Sequence, residues 1–216
     1  MKTRRVAVLR CIFVATLSGN LSAQPLARQF GFSIGAGGAI PREDLASFMT
    51  TSPLLRIGVG YRPIRYFQAD VGMDAIFQAA GVRDFQDTII GRIKIRDNEI
   101  LVPLGGRAIL PLAAQRIELF GGGGAAYLHY GESVEVPGGG SDSGFKCQTC
   151  RSRDGWGSYA TAGVNVALEG SRRFWLGVET RLFHGKTNGD PLGAVPPLET
   201  RDTWMNTAAV FIVRFP

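Results

Sequence analysis

The sequence predicts an all-β chain: an eight-stranded antiparallel up-and-down transmembrane β-barrel, preceded by a cleaved signal peptide. Three observations carry that prediction. Apolar residues alternate with small or charged ones in eight separate segments, which is the period of strands and not of helices. The connections between those segments run long and short in strict alternation. The first 23 residues read as an export leader.

The leader comes first in the chain. Lys2, Arg4 and Arg5 make a basic start, Val6 to Leu17 is largely apolar, and Leu21-Ser22-Ala23 ends on the small residue that a signal peptidase accepts. Arg10 interrupts the apolar stretch, which is shorter than the roughly 20 residues of a spanning helix, so it reads as a leader and not as an anchor. Thr3-Arg4-Arg5 bears a slight likeness to a twin-arginine signal, but that route carries folded cargo, and the general export route is the reading adopted. Cleavage after Ala23 takes away Lys2, Arg4, Arg5 and Arg10 and no acidic residue, so the formal net charge falls from +6 to +2. Two domains of the 216-residue chain follow: residues 1–23 as signal peptide and residues 24–216 as barrel. No basic run remains that would bind nucleic acid.

The first strand is the clearest. In FGFSIGAGGAI, Phe30, Phe32, Ile34, Ala36 and Ile40 share one face, and Gly31, Ser33, Gly35, Gly37 and Ala39 the other. In the second, Leu55, Ile57, Val59 and Tyr61 oppose Arg56, Gly58, Gly60 and Arg62. In the third, Phe67, Ala69, Val71, Met73 and Ala75 oppose Gln68, Asp70, Gly72 and Asp74. The fourth, near Ile100 to Leu110, sets Ile100, Val102, Leu104 and Ala108 against Gly105 and Arg107. Pro103 within it removes a ladder donor, so a bulge is expected there. The fifth, about Arg116 to Tyr130, is so rich in glycine that its facing stays open. The sixth sets Ala160, Ala162, Val164 and Val166 against Tyr159, Thr161, Gly163 and Asn165. The seventh sets Leu176, Val178 and Leu182 against Gly177, Glu179 and Arg181, and the eighth sets Thr207, Ala209, Phe211, Val213 and Phe215 against Asn206, Ala208 and Arg214.

Alternation alone does not say which face looks outward. A soluble barrel is apolar inside, and a membrane barrel reverses this. The second face here is Gly, Ala, Ser and a few charges, which suits the cramped interior of eight strands. Lysine is scarce after the leader: Lys94, Lys146 and Lys186 alone, all read in or beside connections, where a soluble exterior would spread lysine along its strands. Long connections are expected at Pro41–Leu54, Gln78–Glu99, Gly131–Gly155 and Gly185–Asp202, and short ones at Pro63–Tyr66, Pro111–Gln115 and Glu169–Arg172. Short periplasmic turns and long external loops are the asymmetry of an outer-membrane barrel, with both termini periplasmic. Tyr61, Tyr66, Phe77, Trp156, Trp175 and Trp204 near strand ends are read as interfacial girdles.

Taken together, these features give a chain that resembles the small OmpA/OmpX-like outer-membrane β-barrel domains over about Gln24 to Pro216. The residues that carry the resemblance are the leader, the eight-strand rhythm, EILVPLGGRAIL from Glu99 and the ending VFIVRF. The resemblance implies an assembly signal in the last strand, matched by Phe211, Val213 and Phe215, with Pro216 displacing the terminal aromatic by one position. It also implies recognition by the barrel-insertion machinery.

Arg56, Arg62, Asp70, Asp74, Arg107, Glu179, Arg181 and Arg214 fall on the inward face. Unpaired charge in a narrow lumen is costly, so these eight are expected to form a structural arginine–carboxylate network that fills the pore. Cys147 and Cys150, in FKCQTCRSRDGW, are expected in the longest external loop. A local disulfide is the default for such a pair in an exported protein, with free or intermolecular thiols and a metal site as alternatives. The pair lacks a second C-x-x-C for zinc and a following histidine for haem, since Arg151 stands there. No metal and no cofactor are expected. His184, in RLFHGKTNG, is similarly placed to the histidine of an outer-membrane lipid A deacylase, with Glu179 nearby; position 186 is Lys and no serine follows it, so the nucleophile is missing.

The function expected is that of a non-enzymatic envelope protein, a monomeric scaffold in outer-membrane lipid whose external loops give surface integrity or binding. The alternatives are a lipid-modifying enzyme using His184 and Glu179, and a narrow solute pore.

Overall fold

The computed structural model describes residues 29–47, 49–79, 86–88, 91–135, 146–189 and 199–216. The expected leader, residues 1–23, lies outside the described residues. The strands are β1 (Gln29–Arg42), β2 (Ser52–Ile64), β3 (Phe67–Ile76), β4 (Gln86–Thr88), β5 (Gly91–Leu112), β6 (Ile117–Glu135), β7 (Lys146–Ala167), β8 (Phe174–Gly189) and β9 (Glu199–Phe215). Eight of them make one wall in the order β3-β2-β1-β9-β8-β7-β6-β5, every pairing antiparallel, and β3 pairs with β5 to close it. The three-residue β4 pairs only with the far end of β5. Closure is the physical requirement of a sheet in lipid, which offers no partner to a free backbone N–H or C=O.

The residues fix which way the wall faces. Phe30, Phe32, Ile34, Leu55, Ile57, Val59, Val71, Leu104, Leu119, Leu176, Val178, Leu182 and Phe211 are all exposed, in a barrel whose alternate positions are buried and include five arginines, Arg56, Arg62, Arg107, Arg181 and Arg214. An apolar exterior around a charged interior is the reverse of a water-soluble barrel. The fifth barrel strand, β6, resolves on the same rule: Leu119, Gly121, Gly123, Ala125 and Tyr127 face out, and Glu118, Phe120, Ala126, Leu128 and Tyr130 face in.

The connections depart from expectation at one end. Those at the turn end, between β2 and β3, β5 and β6, and β7 and β8, are short as read. At the loop end the ladders run far into segments read as loops: β5 begins at Gly91, β6 continues to Glu135, β7 begins at Lys146, β8 reaches Gly189 and β9 starts at Glu199. Backbone pairs such as Lys94 with Glu135 and Arg153 with Gly189 belong to wall that stands beyond the apolar band. In the extensions of β7, β8 and β9 polar residues occupy odd and even positions alike, so the alternation disappears while the backbone ladder continues; in β5, Ile93 and Ile95 still alternate with Arg92, Lys94 and Arg96.

Two further expectations are corrected. Pro103 sits in β5 without a bulge: Val71 pairs with Leu104 and Asp74 with Leu101 in one register, and the pairs between them lapse opposite Val102 and Pro103. The missing donor is accommodated by a gap on the β3 side, while Pro103 stays paired with Ala126 of β6. The register shift falls instead between Tyr61 and Ile64, across Pro63. Of the six residues read as girdle, Trp156 is 67% exposed and Tyr66 and Phe77 are exposed, and Tyr61 lies against Phe30 with ring centroids 4.9 Å apart. Trp175 and Trp204 are buried inside the barrel, at the odd and even positions that face in on β8 and β9 respectively.

Phe211 and Phe215 are exposed on the outer face of β9, with Val213 on the same face, and Pro216 stands just beyond the strand. Cys147 and Cys150 lie in the backbone of β7 and not in a loop. Cys147 pairs with Val134, and Cys150 falls within the register shift that follows it. The side chains of both cysteines, and so their redox state, lie outside the described residues.

A positive charge on the exterior should be costly where the same charge inside is tolerated. Leu104→Arg, at an outward position of the membrane band, should lower folding stability in lipid vesicles by about 2–4 kcal/mol if it lies near the midplane, measured by denaturant titration.

Candidate functional site: a charged and sealed lumen

The inward faces of six strands meet in one network. Asp74 of β3 is fully buried and takes four hydrogen bonds: from Arg56 Nε at 2.8 Å and Nη2 at 2.7 Å, from Arg181 Nη1 at 2.8 Å, and from Asn206 Nδ2 at 3.0 Å. Arg56 also donates to the Glu179 backbone carbonyl at 3.1 Å. Glu179 of β8 accepts from Arg181 Nε at 2.7 Å, Arg107 Nη1 at 3.2 Å and Thr161 Oγ1 at 3.1 Å. Arg107 turns its Nε to Asp70 at 2.6 Å, and Gln68 donates to the other Asp70 oxygen, also at 2.6 Å. These are charge-assisted bonds, several of them forked, which is the geometry in which arginine holds a carboxylate best.

β1 contributes no side chain to this network, and that is what lets the arginines cross the barrel. Gly35 on β1 pairs directly with Arg56, and a Cβ there would lie 2.5 Å from the Ala209 carbonyl oxygen. Glycine at this inward position keeps the wall thin beside the longest side chains.

A second cluster closes the turn end. Glu118 of β6 accepts from Arg62 Nη1 at 2.9 Å and Arg214 Nη1 at 3.0 Å on one oxygen, and from Arg214 Nη2 at 2.5 Å on the other. The Arg214 guanidinium stacks over Trp175 at 4.0 Å from the ring centroid, and the indole donates to the Arg172 carbonyl at 2.7 Å. Trp175 is therefore the floor of the lumen and not part of a girdle. Between the clusters is a cavity of about 30 Å³, bordered by Arg62, Gln68, Arg107, Asn165 and Arg181. That is room for about two waters.

Toward the loop end the filling becomes apolar. Leu54, Ile76, Leu101, Leu128, Phe183 and Trp204 are all buried and belong to one cluster, with Tyr159 stacked on Phe183 at 5.8 Å between ring centroids. Trp204 Nε1 donates to Tyr130 Oη at 3.1 Å. Arginine–carboxylate pairs below and packed rings above occupy the lumen along its length.

All eight charged residues read as inward-facing are placed in the lumen, and the structure brings them into contact: Arg56, Asp74, Glu179, Arg181, Arg107 and Asp70 in one cluster, Arg62 and Arg214 in the other. Sequence reasoning missed Glu118, the acid that joins Arg62 to Arg214, because the glycines at 121–124 hid the facing of β6. The excess of arginine on the predicted inner face was the one signal that an acid was missing. Past the apolar filling a further group, Asp97, Glu99, Asp202, Arg153 and Tyr130, was missed as a group, since Asp97, Arg153 and Asp202 fall in segments read as loops and Glu99 and Tyr130 stand at the very ends of the strands as read.

His184 and Glu179 are not brought together. They differ by an odd number in one strand, so Glu179 is buried in the lumen while the His184 side chain is 58% exposed outside. His184 Nδ1 lies 2.9 Å from Thr203 Oγ1, whose hydroxyl donates to Glu43 Oε2 at 2.9 Å. A hydrolytic pair of His184 and Glu179 is thereby excluded. The other histidine, His129, is also outside, where Asp154 accepts from Tyr127 Oη at 2.5 Å and lies 2.7 Å from His129 Nδ1. The hydrogen bonds of Tyr127 and His129 hold the Asp154 carboxyl below the usual carboxylate range. Among the described residues no three His, Cys, Asp or Glu side chains are arranged to hold a metal ion.

Solved structures share the fold of this wall. The crystal structure of Ail, the attachment invasion locus protein of Yersinia pestis, matches with a TM-score of 0.52 at 12% identity, covering 88% of this chain and 100% of that one. The fold is that of a small outer-membrane β-barrel. Ail in complex with the heparin analogue sucrose octasulfate matches with a TM-score of 0.52 at 13% identity over the same shares. A major outer membrane protein from Thermus thermophilus matches this barrel with a TM-score of 0.50 at 9% identity, covering 88% of this chain and 100% of that one. No protein-family model matches the sequence, and no curated protein matches it.

Asp74 is the acid on which the lumen of this barrel most depends. Asp74→Ala should destabilise the folded protein by about 3–5 kcal/mol, because it strands Arg56 and Arg181 as buried charges. Arg56→Met combined with Asp74→Ala should be less than additive, as a double-mutant cycle in denaturant would read.

Proposed function

We propose that the protein is a non-enzymatic outer-membrane scaffold. It is exported through its leader, inserted by the barrel-insertion machinery and held as a monomer in outer-membrane lipid, with both termini and the short turns on the periplasmic side. Its role is envelope integrity or surface binding through the four loop-end connections. The single observation that supports this reading is the filled lumen, charged at the turn end and apolar at the loop end. A lumen filled in this way favours a scaffold over a pore, and the surface offered for interaction is the loop end, where rigid walls stand clear of the apolar band. Binding functions concentrate on loops that a rigid scaffold positions. Ail, a barrel of the same fold, has been crystallised with a heparin analogue, which is in keeping with a binding surface on such a scaffold.

A planar bilayer tests the scaffold reading. The purified, folded protein should give no discrete conductance steps, whereas regular single-channel steps would favour the pore. In cells, a barrel with its loop-end connections trimmed should insert normally yet fail to restore the envelope or surface phenotype of a deletion strain. Full restoration would put the function elsewhere.

A further inference from the structure

The acids at the mouth of the barrel are short of partners. Glu99 of β5 is completely buried, and neither of its carboxylate oxygens has a hydrogen-bond partner. Asp202 of β9 is equally buried; its Oδ2 accepts from the Thr187 hydroxyl and its Oδ1 has no partner. Asp97, two residues before Glu99 and on the same face, also has one unpartnered oxygen. This differs in kind from the lower lumen, where Asp74 and Glu179 are covered by arginine.

The charged and titratable groups around Glu99 can be named strand by strand. β5 supplies Asp97, β6 supplies Tyr130 and Glu132, β7 supplies Arg153, and β9 supplies Asp202. From β3, the residue paired with Glu99 is Ile76, and from β8 the inward residue is Thr187. Arg153 is the one cation of this group among the described residues; its charge opposes the rise of the Asp97 and Glu99 carboxyls without bonding the free Glu99 oxygens, since its Nη1 donates to Thr200 Oγ1 at 2.8 Å and its guanidinium stacks over Tyr130 at 4.6 Å. Ile76 beside Glu99, and Leu101 and Trp204 two residues further into the barrel from Glu99 and Asp202, are fully buried and separate the acids from the lower lumen.

A carboxylate buried without a partner is too costly to keep as an anion, and it takes up a proton instead. We propose that Asp97 and Glu99, packed beside Asp202, form a proton-binding site that couples packing of the barrel's loop end to the pH outside. The inference rests on the reading of that end as the outward one. The three acids do not converge as metal ligands would, whereas protons can be held singly. Burial raises Glu99 well above the ordinary carboxylate range and pushes Asp97 up to about 6, each helped by its acidic neighbours. For acids raised in this way the folded state holds protons that the unfolded chain would release. Stability is therefore full at low pH and falls as pH rises from about 4 through 6 and above. The consequence is local: the acids ionise and repel, the mouth of β5, β6 and β9 loosens, and the turn-end network is unaffected.

Trp204 reports on the site directly, because it bonds to Tyr130 beside Glu99. In the detergent-folded full chain carrying Trp156→Phe and Trp175→Phe, Trp204 is the remaining tryptophan. Its emission should shift to longer wavelength between pH 5 and pH 9, and the shift should vanish in Asp97→Asn/Glu99→Gln. Should the tryptophan replacements prevent folding, hydrogen–deuterium exchange on the otherwise unaltered chain gives the same answer. Protection at residues 97–101 and 200–204, corrected for intrinsic exchange, should fall by about tenfold for each pKa unit involved, while that at 56–62 and 176–181 stays constant. A pH-independent mouth overturns the proposal, as does an equal pH response in the double variant. A mouth that tightens with calcium chloride at fixed pH but ignores pH would make the cluster a cation site and would also overturn it. None of these outcomes depends on what the loops bind.

Discussion

Everything in this molecule depends on the seam between its first and last strands. β1 and β9 pair without a shift from Phe30 with Phe215 to Arg42 with Thr203, and this pairing turns a sheet into a wall without edges. In hydrocarbon an unpaired backbone group costs several kcal/mol, so an open sheet of these strands could not remain in the membrane. Closure then dictates the rest. Eight tilted strands enclose a narrow interior, every second residue must enter it, and the side chains that enter must fill it and satisfy one another.

The interior meets that demand in three ways along its length. At the turn end, Trp175, Arg214, Glu118 and Arg62 form a floor. In the middle, Asp74 and Glu179 each hold arginines from different strands, so the network ties together walls that are far apart in sequence. Nearer the loops, packed rings and leucines take over. A buried ion pair is seldom a net source of stability against a hydrophobic alternative, but removing one partner is severe. The network therefore acts chiefly to specify one register and one filled lumen. The under-partnered acids above it are the exception, and their position at the mouth, against the loops, is where a response to the surroundings would matter.

Much of this was legible in the amino-acid order. The alternation of Phe30, Phe32 and Ile34 with Gly31, Ser33 and Gly35 gave the strand and its two faces, the small and charged second face and the scarcity of lysine gave the facing, and parity then placed Arg56, Asp74, Glu179 and Arg181 inside. The same parity, applied to Trp175 and Trp204, would have moved both from the girdle to the lumen. Aromatic character near a strand end was the weaker guide. Glu118 was hidden because glycines 121–124 carry no polarity from which to read a face. Glu99 and Asp202 were hidden for a different reason. Beyond the membrane both sides of the wall meet water or polar groups, so around Asp202 the ladder continues with no alternating trace, and before Glu99 the short alternation of Ile93 and Ile95 with Arg92, Lys94 and Arg96 is lost among the charges of a segment read as loop.

The closed seam is open to direct measurement. Ala36 of β1 and Ala209 of β9 are directly paired, at a separation where adjacent antiparallel strands bring Cα atoms to about 4.5–5.5 Å, within the range of a disulfide. In a chain with Cys147→Ser and Cys150→Ser, folded in lipid, Ala36→Cys/Ala209→Cys should oxidise almost completely to an intramolecular disulfide. Ala36→Cys/Val213→Cys, displaced by four residues along the same strand, should not. Failure of the first pair to cross-link in the folded protein, or equal cross-linking of both, would contradict the closed register on which the barrel depends.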